Sequence, residues 1–127
     1  MKEIKAIIQP FMVNPVLHAL HRIPGLPAVT VSEVRAIDTG SGRFEQVVKS
    51  KLEIMVPDEQ AGEVMRAIQT HAHTGRVGDG RVFVIPIEDT LSIRTGATQF
   101  VPSTPEEVAE AQDAVPPMIA PDLEPNL

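Results

Sequence analysis

Residues 74–87 read TGRVGDGRVFVIPI, Thr74 to Ile87. Three glycines and two arginines run straight into alternating β-branched and apolar residues. Repeated glycine permits left-handed backbone and lets successive N–H groups turn to one side, a nest for an anion. Arg76 and Arg81 flank that nest and can add charge-assisted contacts to a phosphate. Arg81–Ile87 predicts a strand. The spacing Gly75-x-x-Gly78-x-Gly80 is neither a Walker A loop, which needs Gly-Lys-Ser/Thr, nor the dinucleotide fingerprint. Both of those lead from a strand into a helix, whereas this loop leads from a helix into a strand. Taken alone, it is either an anion cradle or a glycine-rich connection with solvated arginines.

Upstream, Lys2–Gln9 predicts a short strand with Ile4, Ala6, Ile7 and Ile8, stopped by Pro10. Asn14-Pro15 predicts a helix start, with Asn14 as cap and Pro15 at the first turn. Val16, Leu17, Leu20 and Ile23 form its apolar stripe, and Pro24-Gly25 ends it. Ala28–Ile37 and Phe44–Val56 predict two strands of a hairpin around the turn at Asp38–Gly42. Asp58 is the expected cap of a second helix with the stripe Ala61, Val64, Met65 and Ile68. After the glycine loop and its strand comes a short extended piece, Leu91–Thr95. The order β-α-β-β-α-β is that of an α+β, ferredoxin-like fold, an antiparallel sheet with both helices on one face.

The 127 residues fit one core-forming domain with a tail of different composition. All 11 Lys and Arg fall in residues 1–96, with 11 of the 17 Asp and Glu, so this part is neutral. Residues 97–127 hold the other six acids and no base, and six of the 12 prolines lie beyond residue 100. Ser103-Thr104-Pro105-Glu106-Glu107 fits a short capped helix carrying Val108, Ala111 and Ala114. Beyond Asp113 the composition suggests an extended, partly disordered segment. The tail reads either as a partner-docking or gating arm, whose acids would screen the cationic cleft if it folded back, or as a solubilising terminus. The domain division is 1–96 and 97–127.

A neutral body with an acidic tail argues against nucleic-acid binding, which needs a net basic face. The absence of cysteine excludes disulfides and thiolate metal sites. No signal peptide and no apolar run of roughly 20 residues is present, so the expected location is cytoplasmic, without membrane insertion. Thr74, Ser41 and Ser50 have no evident activating base, and Glu88-Asp89 reads as a solvated turn. No catalytic residues are assigned, and any nucleotide turnover would be incidental. His18 and His21 at i, i+3, and His71 and His73, could start a metal site. Neither pair has a third ligand at clear spacing, so they read as surface histidines and no metal site is assigned.

The segment TGRVGDGRVFVIPIEDTLSIRTG resembles the loop-and-strand signature of the PII signal-transduction family and its later IRTG. KEIKAIIQPF, AVTVSEV and KLEIMVPDEQ resemble that family's first strand, second strand, and third strand with second helix. The resemblance runs from Met1 to about Gly96. It implies a homotrimer with adenine nucleotides in the clefts between subunits. Gly75, Arg76, Val77, Gly78, Asp79, Gly80 and Arg81 would cradle the phosphates. Thr30, Glu53, Ile54 and Met55 would lie near base and ribose, and Arg94 would reach the phosphates across the interface. These are ligands rather than resident cofactors.

Several residues depart from the family pattern. Relatives usually carry a long T-loop after the second strand, often with a modifiable tyrosine. Here only about nine residues, Thr39 to Val47, stand there, and the chain has no Tyr, so uridylylation is excluded. Gly40 lies nearest the position of the glutamine that helps hold magnesium and 2-oxoglutarate. Lys49 matches a lysine that contacts the 2-oxoglutarate carboxylate, and Lys51 follows on the same face, so the pair is the expected seat of a smaller anion such as bicarbonate. Ser92 replaces a common arginine, which favours ADP or AMP over ATP. Short-loop relatives include groups linked to carboxysomes and bicarbonate uptake, and others linked to heavy-metal efflux. The leading expectation is a nucleotide-sensing regulator of a membrane transporter. The alternatives are a trimeric metal-responsive adaptor and a nucleotide hydrolase.

Overall fold

The computed structural model describes residues 1–98. Strand β1 (Lys2–Ile8) leads through a 3-10 turn (Pro10–Met12) into helix α1 (Val13–His21). Strands β2 (Thr30–Asp38) and β3 (Glu45–Val56) form a hairpin. A second 3-10 turn (Asp58–Gln60), helix α2 (Ala61–Ala72) and strand β4 (Gly80–Pro86) follow. The sheet order is β2-β3-β1-β4, with every pair antiparallel. The chain therefore has the expected α+β, ferredoxin-like architecture.

Period-two alternation decides which face is covered. On β1, Ile4, Ala6 and Ile8 are buried, and Leu52, Ile54 and Val56 do the same on β3. They meet Val16 and Leu20 from α1 and Val64 and Ile68 from α2. Each fully buried Ile, Leu or Val of this kind stabilises by about 1.5–3 kcal/mol. The other face carries Glu3, Lys5 and Ile7, with Met55, Glu53 and Lys51 in register beside them on β3, and Ile85 and Phe83 on β4. No second layer covers that face among the described residues.

Both helix starts differ from expectation for the same reason. Asn14 lies inside α1 rather than capping it, because the 3-10 turn begins the helical path at Pro10, and the Met12 N–H donates to the Gln9 carbonyl (3.0 Å). Asp58 likewise sits in a 3-10 turn, and its carboxylate takes the Met1 ammonium (2.6 Å) instead of capping α2. A 3-10 turn satisfies the orphan N–H groups that a side-chain cap would otherwise serve.

The hairpin strands lie close to their expected spans, β2 ending at Asp38 and β3 beginning at Glu45, so the T-loop place expected at Thr39–Val47 narrows to residues 39–44. Gly42 (φ 77°) and Phe44 (φ 54°) take left-handed conformations there, and Asp38 accepts from the Gly40 N–H (2.9 Å). Leu91–Thr95 is not an extended piece. Leu91 bridges to Thr98, and the Gly96 N–H reaches the Ser92 carbonyl (2.7 Å), closing a tight turn. The tail readings, including the Thr104–Glu107 capping box and the short helix, lie outside the described residues.

Candidate functional site

The loop between α2 and β4 is organised from within. The Asp79 carboxylate accepts the backbone N–H groups of Thr74 (2.8 Å) and Gly75 (2.9 Å) and the Thr74 hydroxyl. The Thr74 hydroxyl oxygen in turn accepts the Arg76 N–H (3.2 Å). The bond from the Thr74 hydroxyl, then those from the two amides, hold the Asp79 carboxyl below the usual carboxylate range. Asp79 therefore shapes the cradle, with its own oxygens occupied by the start of the loop. Gly75, Gly78 and Gly80 all have strongly positive φ (89°, 100° and 105°). At Gly80 the requirement is absolute, since a Cβ would stand 1.8 Å from the Ile7 carbonyl oxygen, where β4 begins pairing with β1.

Arg76, Val77 and Gly78 project from this frame and are exposed, Val77 completely. Arg81, the second residue of β4, is exposed as well. Among the described residues neither arginine is paired with a carboxylate. Lys49 approaches from β3. Only 9% of it is exposed, and its ammonium donates to the Gly78 carbonyl (2.6 Å) with no acid in salt-bridge range among the described residues. It opens on a cavity of about 460 Å³ between hairpin and loop, together with Gln9, Asp38, Glu45 and Val47. A desolvated cation with one neutral partner has unmet capacity for an anion. Lys51 stands apart from this cavity and lies 3.8 Å from the Glu53 carboxylate.

The remaining expected residues lie elsewhere. Thr30 pairs with Glu53 across β2 and β3, on the open sheet face. Met55 shares that face, whereas the Ile54 side chain is in the core and has only backbone to offer a ligand. The last β2–β3 pair is Thr30–Glu53, so β3 backbone beyond it is unpaired on that side. Thr30 is on the β2 edge and Gly80 on the β4 edge, three strand spacings apart, or roughly 14 Å. One chain thus holds the two sets at opposite edges of its sheet. Arg94 lies in the turn after β4, where Ser92 accepts the Thr95 N–H (3.3 Å).

His71 does not simply face solvent. It is half-buried, its Nδ1 lying 3.0 Å from the Ala67 carbonyl of its own helix. His73 is exposed beside Asp79. No group of three His, Cys, Asp or Glu among the described residues could hold a metal ion. No helix among them is long and apolar enough to cross a membrane. Sequence reasoning missed Gln9, whose amide nitrogen would lie 3.1 Å from a Cβ at Gly78. The only signal for it was its place at the C-terminal end of β1, where ferredoxin-like topology gathers loops.

The fold and its helix-to-strand glycine loop define a small α+β, ferredoxin-like protein with a candidate anion-binding loop. Residues 1–97 match the family described as P-II, Nitrogen regulatory protein P-II. Proteins named Nitrogen regulatory protein P-II from Azospirillum brasilense and Rhizobium meliloti are 39% identical over 106 and 108 residues, covering 76% and 77% of this chain and 94% and 96% of theirs. The namesake from Rhodospirillum rubrum is 40% identical over 106 residues, again 76% of this chain and 94% of its own. The chain belongs to the P-II family. The 106-residue matches take in 76% of this chain, fewer than 106 of its residues, so this chain is the shorter partner somewhere within them.

Proposed function

We propose that this P-II family regulator binds an adenine nucleotide between subunits of a homotrimer, with ADP or AMP favoured over ATP. The observation that carries the reading is the loop itself. Asp79 ties the loop from inside, taking the Thr74 and Gly75 N–H groups, and leaves Arg76 and Arg81 exposed on either side of it with no carboxylate partner among the described residues. Preorganised donors of this kind lower the ordering cost of binding an anion. Thr30, Glu53, the Ile54 backbone and Met55 on the opposite sheet edge would meet the base and ribose of a nucleotide held by a neighbour, with Arg94 reaching its phosphates. Trimer formation would cover the open sheet face, where Ile7, Val34, Met55 and Ile85 are only half-buried and Phe83 is exposed.

Lys49 supports a second effector. A small anion such as bicarbonate would pair with its ammonium and compete with the Gly78 carbonyl, moving the loop. Asp38 and Glu45 line the same cavity and would penalise a large polyanion there. Serine at position 92 lowers the positive charge available to a third phosphate. The hairpin, shortened to residues 39–44 at its tip, would carry the bound state to a cytoplasmic partner face, that of a bicarbonate-uptake transporter or a carboxysome component. Ligands shift such an arrangement only by unequal affinity for its two states. The metal-responsive reading finds no support in the geometry.

Calorimetric titration with AMP, ADP and ATP, with and without bicarbonate, tests this. Saturable binding of ADP or AMP, weaker ATP binding, and a bicarbonate effect that vanishes in Lys49→Met are expected. Equal affinity for all three nucleotides would remove the phosphate-count preference. No heat with any of them would remove the sensor reading altogether.

A further inference from the structure

A second groove, away from Lys49, runs between α2 and β4 and encloses about 600 Å³. Its floor is apolar, with Met65 and Val82 half-buried along it. Its rim is cationic and polar: Arg66, Gln69 and His73 from α2 and Arg81 from β4, all exposed. Asp79 also lines it, but that carboxylate is tied to Thr74 and Gly75. Strand β4 ends the sheet order, so one side of its backbone has no strand partner among the described residues. Among the described residues the groove thus combines an apolar floor, positive charge without a carboxylate partner and an open strand edge.

We propose that this groove is the docking site for the chain's own C-terminal segment, residues 103–115. That stretch, STPEEVAEAQDAV, alternates acids with small apolar residues and contains no base. Glu106, Glu107, Glu110 and Asp113 complement Arg66, Arg81 and His73, while Val108 and Val115 suit the floor. The exit point fits. The Ile87 N–H donates to the Met1 carbonyl (3.2 Å), and Leu91, four residues on, bridges to Thr98, so the described chain ends within about four extended residues and one strand spacing of the far end of β4. Returning along β4 to Gly80 takes about seven extended residues at roughly 3.3 Å each, well within the length of chain beyond Thr98. Docking needs no nucleotide. On the nucleotide reading above it has a consequence, since a carboxylate held at Arg81 weakens that arginine's pull on a phosphate.

The chain has no cysteine, so a designed pair reports proximity cleanly. In full-length, nucleotide-free protein, Gln69→Cys/Val108→Cys would be oxidised mildly beside the control His18→Cys/Val108→Cys, whose first site is exposed on α1. Rates and products are read by intact mass and non-reducing gels. The Gln69 pair is expected to close within one chain about tenfold faster than the control, because docking raises effective concentration. Adding Arg66→Glu should slow it by about two- to fivefold, and further adding Glu107→Arg/Glu110→Arg should restore it. Equal rates for the two pairs would overturn the proposal. A mainly interchain product would also overturn it, by placing a second copy in the groove.

Discussion

Gly80→Ala should be the most damaging small substitution in the loop, and its cost can be worked from the structure. A Cβ at this position would stand 1.8 Å from the Ile7 carbonyl oxygen and 2.9 Å from its carbon. An ordinary contact needs more than 3.4 Å, so the β1–β4 ladder must open at Ile8–Gly80, its first pair on this side. Forcing an extra methyl into such a site costs about 1–3 kcal/mol. The φ of 105° adds roughly 1–2 kcal/mol for a residue with a side chain. Local fraying limits the total, which gives about 2–4 kcal/mol. With a urea m-value of about 1–3 kcal/mol/M, the midpoint falls by roughly 0.7–4 M. The control is Gly62→Ala, since Gly62 sits in α2 with nothing within 4 Å of a Cβ. That change should raise stability by up to about 1 kcal/mol through helix propensity. Both are measured at one protein concentration, because assembly shifts apparent stability. Equal midpoints for the two variants would refute the claim that backbone approach at Ile7 demands glycine.

Three further outcomes are expected from the geometry. Asp79→Asn should speed amide hydrogen exchange at Thr74 and Gly75. Because the native carboxyl is depressed, its support is present above the ordinary carboxylate pKa and is lost as pH falls through the lowered value, so wild-type protection should persist to about pH 4 and fail below it. Unchanged protection in Asp79→Asn would deny Asp79 its role as the tie. Glu3 behaves oppositely: burial, then its contact with Glu53, raises its carboxyl, so its contribution is fully present below the ordinary value and lost as pH rises through the raised one. Glu3→Gln should therefore raise the urea midpoint at pH 7 and leave it unchanged at pH 4, and a gain of equal size at both would rule out ionisation as the cause. Lys49→Met should leave stability the same or raise it by up to about 2 kcal/mol, because it removes a buried cation that has no carboxylate partner among the described residues. A loss of more than about 2 kcal/mol would mean that the Gly78 bond holds the fold rather than poising a site.

The fold was legible because its signals are local and mutually consistent. Period-two alternation in Leu52, Ile54 and Val56 and the helical stripe Val64, Met65, Ile68 predict elements that the structure contains. Helix starts were not legible to the same degree. Asn14 and Asp58 are good cap residues, but a 3-10 turn can do a cap's work, and an N-terminal amine 57 residues away claims Asp58. Such a partner is set by tertiary packing, which no local pattern reports. The turn at Ser92–Gly96 was missed for a similar reason, since Leu91–Thr95 is β-branched enough to look extended until its bonds to Gly96 and Ala97 are seen.

Of the site, the glycine loop could be read as a cradle, while its internal wiring could not. Asp79 looked like one more loop residue, and only the geometry shows its oxygens turned toward Thr74 and Gly75. Lys49 and Lys51 share a face by alternation, yet Lys51 stands beside Glu53 while Lys49 stands under Gly78. The division of the expected nucleotide residues between the two sheet edges becomes visible only once strand order is known. That division is why the account requires more than one subunit.

The most direct test of that central claim is native mass spectrometry of the full-length protein titrated with ADP. The account predicts a trimer that takes up as many as three ADP, and a trimer that takes up none in Arg76→Ala/Arg81→Ala. ADP retained by a monomer, or retained by the double variant, would contradict a site built from the glycine loop of one subunit and the opposite sheet edge of another.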